Sequence, residues 1–99
     1  MTYDAKHLKQ PLLALEARTL ARVILTRGSI IFTSHCLKEL AKDGKTTVDA
    51  TNIIRGGAYS EAEWEHGAWR HRVQTQRMAV VIELETESEL VVVTSFVFK

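Results

Sequence analysis

After Gly57 the hydrophobic period of the chain changes from 3.6 to 2, and that change most restricts what the chain can fold into. Three runs, Ala68–Thr75, Arg77–Glu85 and Glu89–Phe98, alternate or are rich in β-branched residues and are parted by short polar tips. They read as a meander over 59–98, with Tyr59–His66 as an acidic edge strand broken by Gly67. Before Gly57 the spacing is helical. Leu12, Leu15, Leu20, Val23 and Ile24 mark a long first helix within 6–27, starting at Lys6 or with Pro11 in its first turn and closed by Gly28. Residues 29–56 read as strand, helix, helix. Ser29–Thr33 is β-branched, Ser34 starts a helix stopped by Gly44, and Thr46-x-x-Asp49 resembles a capping box. The expected class is α+β, with N-terminal helices packed on one face of a twisted antiparallel sheet.

Ninety-nine residues suffice for a single domain spanning 1–99. Apolar residues make up 45% and charged residues 25%, which excludes a disordered or fibrous chain. Thirteen Lys and Arg against twelve Asp and Glu leave a net charge of +1, so any electrostatic argument must be local. The single cysteine, Cys36, excludes an intramolecular disulfide and a cysteine-based zinc site within one chain. No apolar run is long enough to span a bilayer, and the polar start MTYDAKHLKQ lacks a secretory h-region. A cytoplasmic protein without a membrane partner is expected, or one exported by a route that leaves no mark in the sequence.

Folding the last strands as hairpins sorts the charges. A tip at Thr75-Gln76 sets Gln74 opposite Arg77, Arg72 opposite Ala79 and Arg70 opposite Val81. Trp69, His71, Val73, Met78, Val80, Ile82 and Leu84 then share a core face, and Arg70, Arg72, Gln74 and Arg77 share the other. A second tip near Glu87-Ser88 pairs Leu84 with Val91, Ile82 with Val93 and Met78 with Val97. It adds Val92, Thr94, Phe96 and Phe98 to the arginine face. Forked guanidinium donors beside aromatic rings suit a polyanion with unpaired bases. An equally economical reading is a solvated face whose arginines pair with Glu61, Glu63 and Glu65.

His35, at a strand–helix junction, is a candidate acid or base. The neighbouring Cys36 points about 100° away on a helix and reads as a buried small residue. Lys38 shares the helix face of His35. His71 reads as a satisfied core histidine, and the spacing of the four histidines suggests no metal site. The acidic strand could hold a general base, though a solvated face explains it with less.

Phe32-Thr33-Ser34-His35 opening a helix, the strand Trp69-Arg70-His71-Arg72-Val73, Arg77 at the next strand, and the ending Leu90-Val91-Val92-Val93-Thr94-Ser95-Phe96 together carry a family resemblance. Residues 29 to 99 resemble the MqsR/RelE-type bacterial toxins, small metal-independent endoribonucleases. The resemblance is closer to a family of small bacterial domains related to them. Trp69 stands where MqsR-like proteins usually carry tyrosine, and Ala79 and Val97 stand near the places of a late tyrosine and lysine. The resemblance implies a helices-on-sheet toxin fold, cleavage of single-stranded mRNA without cofactor or metal, and neutralisation by a cognate antitoxin. On that basis His35, Arg70 and Arg72 are the expected catalytic residues. Arg77, Lys38, Thr94 and Phe96 are the expected substrate-binding residues. RNA, an antitoxin and a second copy of the chain are the expected partners. A non-catalytic RNA- or protein-binding module on the same fold is the alternative.

Overall fold

The computed structural model describes residues 10 to 98 and shows three helices on a mostly antiparallel six-stranded sheet. In chain order these are α1 (Ala14–Arg27), β1 (Ser29–Phe32), α2 (Ser34–Lys42), α3 (Thr47–Gly56), β2 (Ala58–Tyr59), β3 (Glu63–Glu65), β4 (Ala68–Gln74), β5 (Met78–Thr86) and β6 (Glu89–Val97). The sheet order is β1-β6-β5-β4-β2, with β3 paired to β4 beside that path. Every strand pair is antiparallel except β1 with β6. That parallel pair needs a long crossover, and the chain from α2 to β5 supplies it.

α1 buries Ala17, Leu20, Ala21 and Ile24, which fall on one stripe at helical spacing. It starts at Ala14, later than the expected 6–27; residues 1–9 lie outside the described part. Pro11 lies ahead of the helix, not in its first turn. Carboxylates fix the start: Glu16 Oε1 accepts from Leu13 N–H and Glu61 Oε1 from Ala14 N–H, both at 2.9 Å. These satisfy donors that a helix cannot satisfy itself and put negative charge at the positive end of the dipole. Glu61 therefore belongs to no edge strand. Its reach to α1 divides the expected 59–66 strand into β2 and β3.

α2 is capped by Thr33, one residue before the expected Ser34, and α3 by the Thr46–Asp49 capping box. The Asp49 carboxyl is held below its ordinary pKa, first by the hydrogen bond from Thr46 N–H. Beneath α1 and α3 lie Val73, Val80, Ile82, Leu90 and Val92, all fully buried. Gly28 allows α1 to meet the β5–β6 turn, since a Cβ there would collide with the Ser88 carbonyl oxygen. The β3–β4 hairpin turns through His66 and Gly67, both at positive φ, as a two-residue hairpin loop prefers.

Two registers differ from the sequence reading. Gln74 pairs with Ala79 and Arg72 with Val81, because the first hairpin turns one residue later, at Gln76-Arg77. Thr75 accepts Met78 N–H and Arg77 N–H on its hydroxyl and closes that turn. Moving a tip by one residue moves the register by two, so each side chain keeps its face. Arg77 leaves the arginine face and sits exposed in the turn. On β6 the expected register holds for Met78–Val97, then slips: Val81 pairs with Thr94 and Ile82 with Val92, leaving Val93 as a bulge. Val92 is therefore in the core, not on the arginine face.

Candidate functional site

The bulge on β6 is held by the start of α2. The Thr33 hydroxyl donates to the Val93 carbonyl at 2.7 Å and accepts from Cys36 N–H at 3.0 Å. One side chain thus caps the helix and ties it to the sheet edge. α2 runs beside the part of β6 that β1 does not cover, and its first turn straddles that strand. His35 goes to one face, where Nε2 hydrogen-bonds Oγ1 of Thr94 at 3.1 Å. Cys36 goes to the other face, beside buried Ser95. Burial pushes the Cys36 thiol up, and a hydrogen bond from Ser95 only partly opposes this, so a thiolate nucleophile is disfavoured there.

Thr94, Val81 and Arg72 form one row across β6, β5 and β4. At a strand spacing of about 4.8 Å, the row is roughly 10 Å long. His35 stands at one end and the arginine at the other. In the next row Gln74, Ala79 and Phe96 are aligned. The Arg72 guanidinium lies 4.6 Å over the Phe96 ring and 5.7 Å from the centre of Phe98. The two rings meet edge to face at 5.8 Å. The cation is oriented by π faces, while its side chain stays exposed and makes no ion pair among the described residues.

Arg70 differs. Its Nε donates to Glu83 Oε1 at 2.8 Å, and Glu63 is its cross-strand partner on β3. The ion pair with Glu83 offsets much of its charge within the protein. Glu85 hydrogen-bonds Glu83, and that bond, followed by burial and the charges of Glu83 and Glu89, raises its pKa.

A cleft of about 330 Å³ lies on the sheet face away from α1 and α3. Arg70, Arg72, Val81, Thr94 and Phe96 form its floor. Glu63 and Glu65 come from the β3 arm, and Ser60 and His71 close one end. His71 is 3% exposed, with Nδ1 hydrogen-bonded to the Ser60 carbonyl at 3.0 Å. The Ser60 hydroxyl accepts from Arg72 N–H and fixes the strand behind the guanidinium. The cleft can therefore offer carboxylates, a guanidinium free of ion pairs among the described residues and an aromatic ring to one ligand, with the His35 imidazole beyond Thr94 at its edge.

Of the residues expected from sequence, Arg70, Arg72, Thr94 and Phe96 line this cleft, and His35 reaches it through Thr94. Arg77, in the turn, and Lys38, exposed on α2, are not among the lining residues. Ser60 is not among those expected, and Glu63 and Glu65 enter the sequence reading only as part of an acidic strand that could hold a general base or pair with the arginines. The alternation Glu63-Trp64-Glu65 shows that the two carboxylates share a face. The β3–β4 pairing sets Glu63 opposite Arg70 and Glu65 opposite Ala68, a register the sequence does not fix. Among the described residues no group of three or more His, Cys, Asp or Glu side chains is arranged to hold a metal ion. Among them, too, no helix is long and apolar enough to cross a membrane. Comparison with protein-family models, with curated proteins and with solved structures finds no match to this chain.

Proposed function

We propose that this chain is an endoribonuclease that cleaves single-stranded mRNA, the toxin component of a toxin–antitoxin pair. The observation that carries the reading is the row His35–Thr94–Val81–Arg72, with carboxylates facing it from β3. Cleavage by the 2′-hydroxyl needs a base for the hydroxyl proton, an acid for the leaving oxygen, and a cation at the phosphorane. The 2′-oxygen bonds to phosphorus and the P–O5′ bond breaks. The products are a 2′,3′-cyclic phosphate and a 5′-hydroxyl. His35 at one rim and Glu63 or Glu65 at the other supply the proton-taking and proton-giving groups on opposite sides of the phosphate. Arg72 offers its guanidinium to the developing charge. Arg70 joins it with a charge largely offset by Glu83. Phe96 gives a base a face to stack on.

The test is incubation of the purified protein with RNA in the presence of EDTA. Cleavage leaving cyclic-phosphate ends, lost in His35→Ala and Arg72→Ala, supports the reading. Intact RNA with folded protein overturns it. In cells, induction arrests growth and either substitution relieves the arrest.

A second reading, a non-catalytic RNA- or protein-binding module, is favoured by the carboxylates of Glu63, Glu65 and Glu83, which outnumber Arg70 and Arg72 and leave the cleft with no net positive charge. It predicts tight binding without turnover, weakened by Arg72→Ala and little changed by His35→Ala.

A further inference from the structure

We infer that the site takes RNA as a dinucleotide step, with Gln74 selecting the base on one side of the cut; this rests on the ribonuclease reading above. A second hollow of about 270 Å³ adjoins the cleft and is lined by Ala58, Tyr59, Ser60, Arg72 and Gln74. It shares Ser60 and Arg72 with the first, so the two are continuous along β4. Each is near the small end of the range of small-ligand pockets. A phosphate held by Arg72 leaves one neighbouring nucleotide over Phe96 and the other in the second hollow.

Hydrogen-bond accounting identifies the side chain that reads the second base. The Tyr59 hydroxyl is spent on the Ile54 carbonyl at 2.8 Å. The Ser60 hydroxyl donates to the Glu61 carbonyl and accepts from Arg72 N–H. Ala58 has no polar side-chain atom, and Arg72 is turned to Phe96. Gln74 is exposed, is the Cα partner of Ala58, and has no side-chain hydrogen bond among the described residues. Its amide presents an acceptor beside donors. That pair can bond a base edge carrying a donor next to an acceptor, and the shape of the hollow decides which base presents such an edge to it. Ala58 opposite leaves the space open.

The experiment is cleavage of a pool of single-stranded oligoribonucleotides covering all sixteen dinucleotide steps, with the cut sites sequenced. The wild-type protein is expected to favour one base over the other three on one side of the cut. Gln74→Ala lowers that preference about tenfold and leaves the other side unchanged. Gln74→Glu, which exchanges donors for an acceptor, moves the preference to a different base, a change that a merely structural role would not produce. Ala58→Phe, which fills the hollow, raises KM for these substrates and removes the same preference. If the wild type cuts RNA and all three variants keep its base preferences, the dinucleotide inference is wrong and the ribonuclease reading stands. If the wild type cuts none of the pool, both fall together.

Discussion

Arg70 and Glu83 face each other across β4 and β5 with Nε 2.8 Å from Oε1, and their side chains are only 16% and 15% exposed. A charged hydrogen bond withdrawn this far from solvent is worth more than a surface ion pair, and removing one partner strands the other. Arg70→Met and Glu83→Gln should each destabilise the fold by about 1–3 kcal/mol. The double variant should lose less than the two losses added, with a coupling of about 1 kcal/mol or more. Denaturant unfolding of the four proteins measures it. Glu83→Gln should also tighten RNA binding at fixed salt, because it frees a cation in the cleft; unchanged affinity would show that Arg70 does not meet the phosphates.

Thr33 serves the helix and the site together. Its hydroxyl caps α2 and holds the carbonyl of the bulged Val93, and the residues on either side of that bond include His35 and Thr94. Thr33→Val keeps the shape and removes both bonds. A loss of about 1–2 kcal/mol of stability is expected, together with loss of RNA cleavage in protein that is still folded at the assay temperature. Thr33→Ser should restore both, which separates the hydroxyl from the methyl group.

The face assignments of β4 and β5 are legible in the sequence because Arg70, His71, Arg72, Val73 and Gln74 alternate strictly, and a one-residue error in the turn shifts the register by two and leaves alternation intact. The bulge is not legible. Leu90-Val91-Val92-Val93 is apolar throughout, so period-2 patterning has nothing to mark where an extra residue enters. His35 stands out as a histidine at a helix start, yet its partner Thr94 depends on that bulge. Glu61 is hidden for a similar reason: its role is to cap a helix 47 residues away, which no local pattern records. The β3 carboxylates look like a solvated face until β3 is folded back on Arg70.

Burial drives the Tyr59 phenol well above its ordinary range, while the charges of Arg22 and Arg18 only partly oppose this. Its hydroxyl donates to the Ile54 carbonyl, which requires the neutral form. Tyrosine in the unfolded chain ionises near pH 10, at about 10 on the ordinary scale. Above that, the unfolded chain loses a proton that the folded chain keeps, so stability is full below pH 10 and falls as pH rises beyond it. Unfolding midpoints measured from pH 8 to 11 should drop in the wild type. Tyr59→Phe should be weaker by about 1 kcal/mol at pH 8, through the unpaired carbonyl, and should drop less steeply. Parallel curves would assign the alkaline loss to other groups.

Arg72 and Arg77 test whether position or charge governs activity. Both are exposed cations, but Arg72 lies on the cleft floor over Phe96, whereas Arg77 is in the turn, where its carbonyl accepts from Phe98 N–H at 2.9 Å. A guanidinium that meets the transition state contributes to kcat; one that meets only the flanking backbone contributes to binding. Arg72→Ala should lower kcat about 100-fold or more. Arg77→Ala and Lys38→Ala should leave kcat within about twofold and raise KM. The slope of log affinity against log salt should become shallower by about 0.7 for each cation that contacts a phosphate of single-stranded RNA. Equal kcat losses at Arg72 and Arg77 would mean that the turn, and not the row ending at His35, holds the reacting phosphate.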